Sequence, residues 1–309
     1  MTRFRFADLT EPGAGAPAWS RRALLAGAAA GAVMGALGPR RAVAALAADR
    51  IAALGGAVTE ILYRLGAGAR IVAVDTTSLY PPEALREKPN VGYLRALSAE
   101  GLLARQPDLV IASEGAGPPA VLAQLREAGL RVETVAEPPS PEGVLDKIAA
   151  VGRLAGLERE AETLRAEVRA RFADLAARRA GIGRPARALV VLSLQGGRTV
   201  VGGAASTADG ILTLAGVANA AAGLEGFKPM TDEAIVAAAP DAVVMMQNGP
   251  EPLTAERVFA PDTALGQTPA AAKGRLIAMD GLYLLGFGPR TPQAAADLMR
   301  AIYPDLPRD

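Results

Sequence analysis

Short apolar runs alternate with segments of helical period along most of this chain, and that alternation predicts its architecture. Arg50–Leu54 and Arg70–Val74 are compact β-type runs, and between them Thr59–Leu65 carries apolar residues at helical spacing. Asp108–Ala112 and Arg131–Val135 continue the strands, with a helical segment Pro118–Ala128 between them. Strands separated by helices of about ten residues imply parallel sheets. Pro138-Pro139-Ser140-Pro141 punctuates the pattern, with Ser140 in the position of an N-cap. From Glu142 to Ala180 the period is helical, broken near Gly156. Its second part, Leu157–Ala180, would span roughly 36 Å at 1.5 Å per residue. Arg and Glu at helical spacings dominate it, which predicts a strut solvated along one side and joining two lobes. Strands resume at Ala188–Leu194 and Thr199–Val201, and the alternation ends in a helix at Pro292–Ile302.

The second half echoes the first. Glu100-Gly-Leu-Leu-Ala-Arg-Gln-Pro107-Asp108-Leu-Val-Ile matches Glu233-Ala-Ile-Val-Ala-Ala-Ala-Pro240-Asp241-Ala-Val-Val at a constant offset of 133 residues, which also brings Arg95 onto Lys228. A looser echo places Ile61-Leu62 before Leu65-Gly66 and Ile211-Leu212 before Ala215-Gly216. A helix–Pro-Asp–strand unit used twice predicts an α/β chain of two similar lobes. Their sheets are mainly parallel, a long backbone helix joins them, and a ligand cleft lies between them. The expected boundaries are an N-terminal lobe at 45–140, an inter-lobe helical segment at 141–186 and a C-terminal lobe at 187–309.

Residues 1–44 follow another logic. Arg21-Arg22 directly precedes Ala23–Leu37, fifteen residues of Ala, Gly, Leu, Val and Met only. That run is short and weakly apolar for a spanning helix. Small residues follow at Ala42-Val43-Ala44 and Ala45-Leu46-Ala47. The order fits a twin-arginine export signal with an A-x-A cleavage site, the alternative being an uncleaved N-terminal anchor. Arg40 and Arg41 after the apolar run disfavour the alternative export route, and the absence of any Cys excludes lipoprotein anchoring.

Composition narrows the chemistry. The 309 residues include 33 basic and 32 acidic side chains, no Cys and no His. Disulfides, Cys nucleophiles, Fe–S clusters, Cys/His zinc sites, Ser–His–Asp triads and His-ligated haem are therefore excluded. Removing residues 1–44 moves the formal charge from +1 to about −3. The mature chain is expected to be mildly acidic, soluble and periplasmic, with no basic surface for nucleic acid. A chain without disulfides suits export after folding in a reducing cytoplasm. Gly66-x-Gly68 and Gly202-Gly203 lack the spacing of nucleotide-binding loops and read as turn glycines, so nothing here points to an enzyme.

Gly55-Gly56-Ala57-Val58-Thr59-Glu60-Ile61-Leu62-Tyr63-Arg64-Leu65-Gly66 after a first strand, and the Pro-Asp-Leu-Val-Ile strand within Gln106–Ile111, resemble the substrate-binding proteins of bacterial ABC importers for iron chelates, haem and corrinoids. The resemblance runs from Arg50 to about Pro304 and implies a ligand cleft between two lobes bridged by one long helix. Asn90-Val91-Gly92-Tyr93-Leu94-Arg95, then Leu97-Ser98-Ala99-Glu100-Gly101, is similar to the haem-binding branch. So are Gly226-Phe227-Lys228-Pro229 and Leu285-Gly286-Phe287-Gly288-Pro289-Arg290. In that branch the tyrosine of a Gly-Tyr-x-Arg segment ligates haem iron, which implies Tyr93 as the axial ligand of a transported haem b. Gly92, Arg95, Lys228 and Arg290 are then expected at the haem cleft or its propionates. One glutamate on each lobe of the related importers docks onto arginines of the permease, and Glu100 and Glu233 occupy matching positions. The implied partners are an inner-membrane ABC permease with a cytoplasmic ATPase and, indirectly, an outer-membrane haem receptor system. The carrier itself is expected to act as a monomer. A ferric-siderophore or corrinoid (vitamin B12) carrier shares the same fold.

The chemistry is coherent on its own terms. Ferric iron is a hard cation and phenolate oxygen is a known haem ligand. A free phenol titrates at about 10, and both a metal ion and a neighbouring cation favour its ionised form. Arg95, two residues along, supplies such a cation or pairs with a propionate, and Lys228 would act from the opposite wall. Tyr80, before Pro81-Pro82, is the alternative oxygen donor, whereas Tyr63 and Tyr283 read as packing residues. Arg290 also reads as a carbonyl cap or as the entrance to the C-terminal helix, and the acids at 100 and 233 as helix N-terminal charges favoured by the dipole. Some haem binders stack two haems using Tyr on one side and His on the other. Without His this chain is expected to hold one.

Overall fold

The computed structural model describes residues 48–306 except 196–197 and 248–251, so the export signal assigned to residues 1–44 lies outside the described residues. The first lobe runs β1 (Ile51–Leu54), α1 (Gly56–Arg64), β2 (Ile71–Val74), α2 (Glu83–Glu87), α3 (Ala99–Leu103), β3 (Leu109–Ser113), α4 (Pro119–Glu127) and β4 (Arg131–Val135). Its four strands are all parallel, in the order β2-β1-β3-β4. Two helices follow, α5 (Pro141–Ala155) and α6 (Glu158–Arg179). Ser140 caps α5 by accepting a hydrogen bond from the Gly143 N–H at 3.0 Å. Gly156, at φ 68°, ends that helix in the left-handed conformation that glycine adopts without strain.

The second lobe comprises β5 (Arg187–Gln195), β6 (Arg198–Gly202), α7 (Thr207–Leu214), β7 (Ala218–Asn219), β8 (Phe227–Met230), α8 (Asp232–Ala238), β9 (Ala242–Gln247), α9 (Ala255–Val258), α10 (Pro269–Ala272), β10 (Leu276–Asp280), α11 (Gly281–Leu285) and α12 (Thr291–Ile302). Strands β7, β5, β9 and β10 are parallel and repeat the order of the first sheet. The departure from a parallel sheet is β6 and β8, which add antiparallel at one edge. Only residues 196–197 separate β5 from β6, far too few for a crossover, so the chain must turn back as a hairpin. Gly202 is the last residue of β6 rather than a turn glycine. A Cβ there would collide with Ala208, so glycine lets α7 pack closely on the strand.

The offset of 133 residues is a repeat of hydrogen bonds as well as letters. Asp108 Oδ2 accepts from the Arg50 N–H and Asp241 Oδ2 from the Arg187 N–H, each at 3.1 Å. The same arginines return the favour: Arg50 Nη2 donates to the Arg105 carbonyl and Arg187 Nε to the Ala238 carbonyl. These are carbonyls at the open ends of α3 and α8, which the helices cannot satisfy themselves. Gln106 and Ala239, the equivalent residues before each Pro-Asp, both take a left-handed conformation, φ 48° and 43°. The Arg187 N–H and then Lys273 hold the Asp241 carboxyl below its usual range. The looser echo is the same helix ending used twice. The Ala67 N–H bonds the Leu62 carbonyl at 2.8 Å and the Val217 N–H the Leu212 carbonyl at 2.9 Å, around left-handed Gly66 and Gly216.

Side-chain alternation along the central strands divides the core. Ala52 and Leu54 of β1 face one outer cluster with Val110 and Leu122, and Leu189 and Val191 of β5 face another with Ile235 and Val243. The opposite faces, Ile51 and Ala53 with Ala188 and Val190, belong to one continuous cluster that includes Ile61, Ile148, Leu164, Phe172, Ile211 and Leu298. Helix α6 joins it through Ala161, Leu164, Val168, Phe172 and Leu175, a stripe at helical spacing beneath its charged outer face. One apolar core therefore runs through both lobes. Lys147, fully buried on α5, adds a polar tie by donating to Glu137 Oε1 at 2.8 Å and to the Phe287 carbonyl of the second lobe at 3.1 Å.

Ile148→Ala should lower the unfolding free energy by about 2–5 kcal/mol, and both lobes should still unfold in one step. Urea unfolding followed by far-UV circular dichroism checks this. Two separate transitions would contradict a shared core.

Candidate functional site

The carboxyl ends of β1 and β10, one from each sheet, come close together. Gly56 directly follows β1 and Leu282 follows β10, yet a Cβ on Gly56 would collide with both the Leu282 side chain and the Thr77 carbonyl. Loops leaving the carboxyl ends of parallel strands are where open α/β sheets gather ligands, and here two such edges form opposing walls.

The first wall is the long segment between β2 and α3, and its base is fixed by Asp75. That buried carboxylate accepts from the Gly55 N–H at 2.7 Å, the Thr77 N–H at 3.0 Å, Thr77 Oγ1 at 2.6 Å and Ser78 Oγ at 3.0 Å. Thr59 and Ser78 share a further hydroxyl bond at 2.7 Å. The segment returns alongside β2, with the Val91 N–H on the Val74 carbonyl at 2.9 Å and the Thr76 N–H on the Gly92 carbonyl at 3.0 Å. Gly92 sits at φ 96°, a conformation closed to other residues without strain, and its N–H is held by Asn90 Oδ1 at 2.8 Å. The chain then makes a turn closed by the Ala96 N–H on the Tyr93 carbonyl at 2.8 Å. Leu94 points inward onto the outer core of this lobe, and its carbonyl accepts from the Gly117 N–H. Tyr93 and Arg95 are left outside. Tyr93 is 49% exposed, the most open of the large apolar or aromatic side chains described. Arg95 makes no hydrogen bond or ion pair among the described residues, so a tyrosine hydroxyl and an uncommitted guanidinium project from one pinned turn.

The second lobe contributes exposed Phe227 and Lys228 on edge strand β8. It also contributes exposed Leu194 near the carboxyl end of β5, on the hairpin that extends beyond the pairing with β9. Lys228, like Arg95, is unpaired among the described residues. Leu79 and Tyr80 are exposed on the first wall. Among the described residues no group of acidic side chains is arranged to hold a metal ion.

Arg290 is already engaged. Its Nε and Nη2 donate to Glu60 Oε1 and Oε2 at 3.0 and 3.1 Å, joining the second lobe to α1 of the first. Their side chains are only 19% and 3% exposed. Burial pushes the Glu60 carboxyl above its usual range, and the Arg290 hydrogen bonds and charge pull it back. The guanidinium also lies 3.5 Å from the centre of the Tyr80 ring and 5.1 Å from that of Tyr283. Tyr80 is thus a wall residue stacked on Arg290. Tyr283 sits on α11 and donates to Asp297 Oδ2 at 2.7 Å, and burial pushes the pKa of its phenol up. Tyr63 packs beside Gly68 with its hydroxyl buried and without a partner among the described residues, and burial pushes its pKa up too.

Two residues important to this site, Glu60 and Asp75, were not singled out from sequence. Glu60 had a signal: it is the one acid within Gly56–Leu62, a stretch of α1 buried at every position. Glu100 and Glu233 lie on the outer flank of each lobe, in the first turns of α3 and α8. Ser98 Oγ and Thr231 Oγ1, again 133 apart, cap those helices by accepting from the Gly101 and Ala234 N–H groups. Both carboxylates are exposed and unpaired among the described residues.

Residues 51–282 match the periplasmic binding protein family. Among solved structures, the periplasmic heme-binding protein RhuT from Roseiflexus sp. RS-1 is 39% identical, with TM-score 0.77 over 83% of this chain and 98% of its own. The periplasmic heme-binding protein BhuT, solved in complex with two hemes, is 38% identical, with TM-score 0.75 over 84% of this chain and 99% of its own. A cobalamin-binding protein from Halobacterium salinarum is 28% identical over 262 residues, 82% of this chain and 69% of its own length.

Replacing Arg290 by Met should cost about 3–5 kcal/mol by leaving the Glu60 carboxylate buried without a partner. The double variant Glu60→Gln/Arg290→Met should recover most of that loss. Chemical denaturation measures both. A single variant as stable as the parent would show that the pair does not hold the lobes.

Proposed function

The chain belongs to the periplasmic binding protein family, and we propose that it captures haem between the carboxyl edges of its two sheets and delivers it to an ABC-type import permease. Members of this family are substrate-binding components of importers rather than enzymes, so the function is binding and hand-over. The observation that carries the ligand assignment is the pinned turn of Gly92–Arg95, with Tyr93 open to solvent and Arg95 unpaired beside it. In this reading Tyr93 ligates the ferric iron through its phenolate oxygen, and Arg95 meets a propionate. Lys228 supplies a second cation from the other lobe. Exposed Leu79, Leu194 and Phe227 cover the macrocycle, whose apolar burial provides most of the binding energy. Arg290 serves the site indirectly, holding the lobes in register and backing Tyr80. Relatives solved as haem-binding proteins at 38–39% identity support the assignment.

The reading extends to export and delivery. The twin arginines at 21 and 22 direct the folded chain to the periplasm, and the carrier works there as a monomer in iron uptake. Glu100 and Glu233 then meet cations on the inner-membrane permease, which a cytoplasmic ATPase drives.

Hemin added to the purified mature chain should produce a tyrosinate-type ferric absorption spectrum that saturates at one equivalent. Tyr93→Phe, which removes only the hydroxyl oxygen, should abolish that spectrum. An unchanged spectrum would refute Tyr93 ligation, and saturation at two equivalents would refute the single haem. Tight cobalamin binding with indifference to hemin would favour the corrinoid reading instead. The double charge reversal Glu100→Lys/Glu233→Lys should stop hemin uptake by cells while leaving the purified chain's hemin titration unchanged. Unaffected uptake would sink the docking role.

A further inference from the structure

The large apolar side chains exposed among the described residues fall into two groups. Leu79, Tyr80, Tyr93, Leu194 and Phe227 are the group assigned above to the ligand cleft. The remaining two, Leu103 and Val236, lie elsewhere, and they are 133 residues apart. Each sits three residues after a docking glutamate, Leu103 after Glu100 on α3 and Val236 after Glu233 on α8. Positions i and i+3 share one face of a helix, so each lobe presents a carboxylate and an apolar side chain together.

Core packing does not call for either exposed residue. In each helix the preceding residue, Leu102 or Ile235, is fully buried and fills the outer core of its lobe. Leu103 and Val236 are each 37% exposed, so neither fills the core as its fully buried neighbour does. A single exposed leucine needs no explanation. Two at equivalent positions do, each set off from its glutamate by two residues, Gly101-Leu102 in one lobe and Ala234-Ile235 in the other. The frames are matched too, through the Ser98 and Thr231 caps and the Arg50 and Arg187 clamps on the helix ends.

We propose that Leu103 and Val236 are apolar anchors for the permease, so that each lobe docks a two-part patch of one carboxylate and one aliphatic side chain. The partner surface offers, twice over, a cation beside an apolar depression. Unpaired Glu100 and Glu233 supply the charge complementarity, and the apolar anchors supply contact area that salt does not screen. This inference rests on the docking reading of the two glutamates.

The test replaces the chain in its source cells with Leu103→Ser/Val236→Ser and follows uptake of iron-labelled hemin when the carrier is limiting. Uptake should fall about tenfold or more, the scale expected for losing two interface anchors. Periplasmic protein level, thermal unfolding and the hemin titration should be unchanged, and raising the amount of variant in the periplasm should restore uptake, as for an affinity defect. Uptake within twofold of the parent, with Glu100→Lys/Glu233→Lys inactive in parallel, would overturn the anchor role and leave glutamate docking intact. Full uptake by both double variants would overturn the docking reading and the anchors with it.

Discussion

The spacing between the two lobes rests on a single apolar core shared by both sheets through α5, α6, α7 and α12. Opening the lobes would expose surface that this core buries, at about 25 cal/mol per Å². Two buried polar ties act on the same junction, Glu60 with Arg290 and Lys147 with Glu137 and the Phe287 carbonyl. Buried ion pairs of this kind need not add net stability. Their consequence is that a displaced lobe would leave the Glu60 carboxylate buried and unpaired and would strip the Lys147 ammonium of its Phe287 carbonyl partner. The cleft is therefore built to have one width, and a ligand meets walls already in place.

A pre-formed cleft puts the demand for precision on the loops that line it. The Asp75 network and the return of residues 89–92 along β2 meet that demand on the first wall, so the turn bearing Tyr93 is braced from below while its side chain stays open. On the proposed ligation by Tyr93, ordering that phenol would cost little because its backbone is already ordered. The second wall is built differently. An antiparallel edge, β6 and β8, is added to a sheet that otherwise copies the first, and it carries the exposed Phe227 and Lys228. The repeat supplies the scaffold, and the departure from it makes the second wall unlike the first.

Much of this was legible in the residues because it is local. The strands, the broken helix at Gly156 and the Pro-Asp repeat are each written within about a dozen positions, and period, capping and repetition decide them; the Gly-Tyr-x-Arg segment was legible only through its resemblance to a known family. What was not legible depends on contacts across the chain. Arg290 looked free for a propionate because its partner Glu60 lies 230 residues away. Gly202 looked like a turn because the helix that requires its missing Cβ packs on it only in the folded lobe. Strand β6 read as part of a parallel alternation because a strand's own pattern does not state its direction, and β8 was not read as a strand. The exposure shared by Leu103 and Val236 needed both the repeat, which the sequence carries, and burial, which it does not.

The decisive measurement is a crystal structure of the mature chain loaded with hemin. It should show one haem between the carboxyl edges of the sheets, Tyr93 Oη as its axial protein ligand, and the Glu60–Arg290 pair intact with the lobes in their present relation. A haem held by another residue, or lobes swung apart with that pair broken, would contradict this mechanism.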